Sequence, residues 1–250
     1  MLLEAFLAQL LGAGPPAPPP PVVMGAAGSC PAGMKLVRGV HHENVQRLCT
    51  DWRQGHCFAA FPGLFAEEDR ATPIAACMDQ YEWPNKKGAD PVVMPSFTEA
   101  QAMCAGAGKR LCSEFEWELA CEGPETMPWP YGWKYDGAAC NSSKPYKPMS
   151  EAKLASNDVA VRTREAKRGW QGEPSGSFPR CESAYGVVDL TGNVEEWVTS
   201  SRKEWPYPSA LKGGYWSKPW SGCRGTNESH GPSFRFYEVG FRCCSDPSQP

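Results

Sequence analysis

Three observations predict an irregular, disulfide-rich α+β fold. The 250-residue chain holds 25 glycines and 25 prolines and shows no long stretch of helical periodicity, which excludes a helical bundle. Twelve cysteines are scattered along it. In a reducing cytosol they would stay thiols, so a disulfide framework in an oxidising, extracytoplasmic compartment is the better reading. Two short capped helices stand among short runs of strand character. Zinc is the rival for the cysteines, but no C-x₂-C pair occurs. A formal charge of −3 gives no reason to invoke nucleic acid, and the basic spots at Lys86-Lys87 and residues 162–168 read as solvated loops.

The elements follow in order. Residues 1–29 read as a leader: an apolar start interrupted by Glu4, then a proline-rich spacer, a degenerate export signal without a basic n-region. No segment is long enough to span a membrane. The folded body is expected over residues 30–245, with 246–250 as a tail, and its first strand opens at C-P-A-G-M-K-L-V. Residues 38–76, with His41, His42 and His56, carry no assignable motif. Ser96 and Glu99 form a capping box, followed by Ala100, Met103, Cys104 and Ala107 on one helical face. Ser113 and Glu116 form a second, with Trp117, Ala120 and Cys121 facing inward and Gly123-Pro124 as the stop. Beyond it, residues 157–176 read as an exposed polar loop. Short strands are expected at 187–190, 196–199, 211–215 and 239–243.

The most informative run is residues 186–197, G-V-V-D-L-T-G-N-V-E-E-W. It sets Asp189 and Glu196 seven residues apart around Gly192 and Asn193. A hard cation such as Ca²⁺ takes six to eight oxygens from carboxylates and free carbonyls, and a glycine-centred turn between two acids offers both kinds. The plain alternative is a turn with solvated acids.

Several motifs add a resemblance. G-N-V-E-E-W at 192–197, K-G-G-Y-W at 212–216, G-F-R-C at 240–243 and G-K-R-L-C-S-E-F-E-W-E at 108–118 resemble the GNxWEW, RGGSW, GFRC and GKRLPTEAEWE blocks of the formylglycine-generating enzyme (sulfatase-modifying factor) family. They occur in the family's order across roughly residues 30–244. The resemblance implies a C-type-lectin-like α+β domain with few regular elements. It also implies a structural Ca²⁺ on the side chains of Asp189 and Glu196 and the backbone oxygens of Gly192 and Val194. A second family cation site begins at Asn141, but its later acidic ligand falls near Arg168. The family branch that makes sulfur–histidine bonds carries an H-x₃-H-x-E iron motif, a spacing missing from this sequence.

The resemblance implies disulfides Cys104–Cys243 and Cys121–Cys223. The other eight cysteines leave many connectivities open, among them Cys140–Cys181, Cys30–Cys49, Cys57–Cys77 and Cys112–Cys244. The family's oxidases bind copper through two cysteines five residues apart after RGGS, soft ligands suited to Cu(I). Counted from Gly213-Gly214, those positions are Lys218 and Cys223. Counted back from G-F-R-C, Cys223 falls within one residue of the structural disulfide position instead. A thiolate facing a lysine makes no two-sulfur copper site.

The expectation is therefore an extracytoplasmic member of the family with structural calcium, binding a peptide or glycan on a surface of Trp216, Trp220, Arg224, Phe234, Arg235 and Tyr237. The alternative is a copper-dependent oxidase that converts a cysteine of an exported substrate to formylglycine, with Cys223 catalytic. Another metal centre near the same loop would draw on Glu228, His230 or Glu238.

Overall fold

The structure, a computed structural model, describes residues 28–67 and 70–248. Most of the expected leader therefore lies outside the described residues. Strand β1 (Met34–His42) leads into β2 (Val45–Arg53) and β3 (His56–Glu67), a hairpin that forms a sheet of its own. Gln54 and Gly55, both at positive φ (49° and 81°), make its two-residue turn, the backbone twist that tight hairpins require. Strand β4 (Ala71–Asp79) returns antiparallel to β1, from Met34 opposite Asp79 to His42 opposite Ala71. The segment without an assignable motif, residues 38–76, is thus two whole strands and parts of two others. Its signal is weak because the hairpin is largely exposed and lacks a continuous apolar face.

Helix α1 (Phe97–Gly106), short strand β5 (Arg110–Leu111) and α2 (Glu114–Glu122) follow. Both capping boxes are closed: Ser96 accepts from Glu99 N and Ser113 from Glu116 N, while each glutamate reaches back to its cap backbone. In α1 only Phe97, Ala100 and Cys104 are buried; Met103 and Ala107 are exposed, because one short turn of contact suffices against the core. Helix α2 is buried along its whole length.

Helix α3 (Glu151–Leu154) precedes the loop expected at 157–176, and α4 (Val159–Gly169) replaces its first part, with residues 170–176 irregular as expected. Asp158 caps α4 through Ala160 N and Val161 N. Only Glu165 and Gly169 of that helix are buried. A helix so polar has no apolar stripe to announce it, and its cap and the Glu165–Arg168 pair support it locally.

A second four-stranded sheet holds β6 (Glu195–Thr199), β7 (Ser209–Lys212), β8 (Thr226–Asn227) and β9 (Val239–Phe241), with β9 parallel to β6. Residues 187–190 form no strand, only a bridge between Glu182 and Val188. Strand β7 begins at Ser209 and stops at Lys212, because Gly213 turns at φ 83° and a Cβ there would lie 2.6 Å from the Leu190 carbonyl oxygen. Strand β10 (Cys243–Ser245) closes the first sheet between β4 and β5.

All twelve cysteines are bonded. Neighbouring strand residues point to opposite faces, so Cys243 joins Cys104 of α1 while Cys244 joins Cys112. Cys121 pairs with Cys223 and Cys140 with Cys181. Two connectivities named above, Cys30–Cys49 and Cys57–Cys77, are replaced by Cys30–Cys77 and Cys49–Cys57. The reason is topological. The β2–β3 hairpin sets its own two cysteines face to face, and β4, running beside β1, carries Cys77 to the chain's entry at Cys30.

Candidate functional site

The turn at 186–197 needs its glycine. Gly192 sits at φ 79°, and a Cβ there would lie 2.3 Å from the Asn141 carbonyl oxygen. Asp189 (φ 61°) and Asn193 (φ 55°) share the left-handed region, which Asn and Asp tolerate best among residues with a side chain. Asn193 becomes a buried hub. Its Nδ2 donates to both oxygens of Glu82 at 3.0 and 2.9 Å, and its Oδ1 accepts from Asn141 Nδ2 at 3.0 Å.

The electrostatics here are lopsided. Glu82, Asp189 and Glu196 are all buried, and one buried cation, Arg242, sits among them. Arg242 grips Glu196 with Nε at 2.7 Å and Nη2 at 2.6 Å, while Trp117 Nε1 donates to the same carboxylate at 2.8 Å. Burial pushes Asp189 up to about 6, against the Gly176 N–H that holds its carboxylate. Burial, then Asp189 and Glu196, push Glu82 well above the usual carboxylate range. In charge and in oxygen-donor type, the Asp189, Glu196, Gly192 and Val194 set fits a hard cation. Glu196 would have to share the cation with Arg242. The Asn141 Oδ1 is buried with no hydrogen-bond partner, an oxygen of the kind a cation takes. Arg168, near the second site's missing acid, is paired instead with Glu165 at 2.6 Å. Among the described residues, no three His, Cys, Asp or Glu side chains form a metal cluster. Glu228, His230 and Glu238 are accordingly not brought together as one.

The copper donors do not fit. Cys223 is fully buried and disulfide-bonded to Cys121, so neither sulfur is a thiolate. Lys218, at the first copper position, puts its Nζ 2.6 Å from Glu195 and 4.9 Å from the Tyr215 ring. Glu238 lies close by, pushed up to about 8 by burial and then by Glu195. The position of the first copper ligand thus holds an ammonium beside carboxylates.

The expected ligand surface divides. Trp216 and Tyr237 are buried in a core cluster with Val194 and Tyr215, a correction that follows from their packing against Trp170 and Phe236. Phe234 stacks on His230 with centroids 3.7 Å apart, and Arg235 pairs with Glu99 at 3.1 Å. Arg224 reaches inward and holds Glu122 at 2.7 Å. Trp220 alone among the six aromatic and basic residues lies at a cavity with its ring substantially exposed, 43%.

Residues 42–247 match the Sulfatase-modifying factor enzyme 1-like domain. The chain belongs to this family. With the family comes its irregular, C-type-lectin-like α+β fold. An inactive C-alpha-formylglycine-generating enzyme 2 of Bos taurus is 31% identical over 174 residues, 64% of this chain and 52% of its own length. A formylglycine-generating enzyme of Mycobacterium tuberculosis is 32% identical over 115 residues, covering 46% and 34%. A hercynine oxygenase of Mycolicibacterium smegmatis is 31% identical over 119 residues, covering 48% and 24%. The chain spans about half the length, or less, of these family relatives. Among solved structures, CarF aligns at 15% identity with a TM-score of 0.49, over 85% of this chain and 99% of that one.

Sequence reading missed a buried charge network on α2. Glu114, Glu118 and Glu122 recur every fourth residue, one helical face. Lys212 Nζ lies 2.6 Å from Glu118, His41 Nε2 2.7 Å from the same carboxylate, and Arg47 and Arg224 hold Glu122. Burial pushes Glu118 up, but Lys212, the His41 hydrogen bond and Arg224 together hold it below its usual range. The four-residue spacing was a signal, though exposed helices carry the same one.

Proposed function

We propose that this chain is a diverged, ligand-binding member of the sulfatase-modifying factor family, working in an oxidising extracytoplasmic compartment and stiffened by a structural calcium ion. The observation that carries the reading is the Cys121–Cys223 disulfide, with Lys218 at the position of the other copper thiolate. Six disulfides suit an oxidising compartment, and no described helix is long and apolar enough to cross a membrane. A bovine relative named as inactive supports the same direction. The excess of buried carboxylate around Arg242 supports the calcium, which when bound would supply a positive charge to Asp189 and Glu196. The ligand is an exported peptide or a glycan.

The test is incubation of the protein with a C-x-P-x-R peptide, Cu(I) and O₂, with the peptide read by mass spectrometry. Unchanged cysteine is the expected result. Conversion to formylglycine that is lost in Cys223→Ala would overturn the proposal and make the chain an oxidase.

A further inference from the structure

Two clefts flank the β2–β3 hairpin, of about 910 and 580 Å³, and share Arg53 and Tyr135 in their walls. The smaller is also lined by His56, Tyr146 and Trp220. Trp52 stands beside a third, adjoining cleft with His56 and Trp220. These aromatic rings are unusually open: Trp52 is 67% exposed, Tyr146 66% and Trp220 43%. Scattered exposed apolar residues need no explanation, but several around connected clefts of ligand size mark a binding surface.

Most of the rim charges are paired with a neighbour. Arg53 is paired with Asp51 at 2.6 Å, Lys144 with Glu173 at 3.1 Å, and Arg180 with Asp136. Such pairs present a fixed donor next to a fixed acceptor and offer little net charge, the complement of a hydroxyl rather than of an anion or cation. The backbone that carries these rings is braced. Trp52 and His56 sit within the hairpin that Cys49–Cys57 staples, and Trp220 stands three residues before bridged Cys223. His56 stacks against one side of Trp220 at 5.4 Å, leaving part of its ring open. A braced backbone and a stacked Trp220 lose less entropy on binding than a free loop would.

We infer that this face binds a neutral oligosaccharide, sugar C–H faces stacking on Trp52 and Trp220 while the rim ion pairs hydrogen-bond hydroxyls. The inference rests on the ligand-binding reading above and names its ligand class. Hydroxyl-rich rings of low charge have an apolar face and a polar edge, which is the alternation the clefts present.

The experiment titrates the full chain with neutral hexasaccharides, β-1,4-glucan, α-1,4-glucan, mannan and chitin types, by calorimetry and tryptophan fluorescence, with heparin as the charged control. At least one neutral probe should bind in the micromolar to millimolar range with little dependence on salt, since uncharged partners are not screened. Trp52→Ala and Trp220→Ala, both surface changes, should each weaken it about tenfold. Silence from all four probes at millimolar concentration overturns the inference. So does binding confined to heparin, or binding untouched by both substitutions. Failure here with the C-x-P-x-R peptide left unoxidised removes only the sugar assignment; peptide oxidation beside sugar binding removes the earlier reading and keeps this one.

Discussion

Replacing Cys121 and Cys223 together by alanine should destabilise the domain by about 5 kcal/mol, a figure built from the covalent graph of the fold. Taken alone, the bridge spans 102 residues, and closing a loop of that size stabilises by about 4.7 kcal/mol in the chain-entropy model. The unfolded chain is not open, however, because Cys112–Cys244 still joins its ends. The shortest covalent circuit runs nine residues from Cys121 back to Cys112 and 21 from Cys244 back to Cys223. A loop of about 30 residues stabilises by about 3.6 kcal/mol on the same relation. Both sulfurs are fully buried, so their removal adds a packing loss on the order of 1–2 kcal/mol. Urea unfolding under non-reducing conditions, followed by tryptophan fluorescence, measures the sum. Extrapolated free energies are compared rather than midpoints, since loosening the unfolded chain also raises m. A loss below about 2 kcal/mol would refute the argument. Thiol titration of the denatured, unreduced protein tests its premise and should find no free cysteine.

Three further outcomes follow from the buried charges. Glu118→Gln should cost about 3–5 kcal/mol by removing the buried charge that Lys212, His41 and Arg224 share, whereas the double change Glu118→Leu with Lys212→Met should recover part of that loss in the same denaturation assay, since His41 and Arg224 still lose their partner. Glu238, raised from 4.5 to about 8, keeps in the folded state a proton that the unfolded chain has released. Stability therefore falls as pH rises through that window, by a few kcal/mol, and Glu238→Gln should flatten the dependence of ΔG on pH there. Asp189, raised to about 6, adds the same sign over the lower half of that window. Calcium at a hundredfold excess over its Kd should stabilise by about 2.7 kcal/mol relative to chelated protein; calorimetry of Asp189→Ala should show no response to chelator.

Different parts of the molecule were legible to different degrees. The two capping boxes were readable because a cap is settled by residues three apart. Helix α4 was not, since Asp158 opens a segment whose polar faces look like a solvated loop. The hairpin escaped for a similar reason: its turn, Gln54-Gly55, is unremarkable in sequence, and β2 puts Leu48 and Trp52 on its exposed face and Arg47 and Asp51 on its half-buried one, so residue type does not follow burial. At the site, the acids Asp189 and Glu196 could be found by their spacing around Gly192, but Glu82 lies more than a hundred residues away and only the fold delivers it to Asn193.

By itself, then, the chain determined whatever depends on near neighbours and on residue type: an irregular α+β body, two capped helices, a glycine-centred acidic turn and enough cysteine to staple itself. Tertiary structure decided whatever depends on which distant segments meet. It chose Cys77 over Cys49 as the partner of Cys30, drew Trp216 and Tyr237 into the core, opened Trp52 and Trp220 around connected clefts, and bonded Cys223 to a helix. The physical reason is that a side chain's chemistry is fixed by its composition, whereas its burial, charge state and reactivity are fixed by what packs against it.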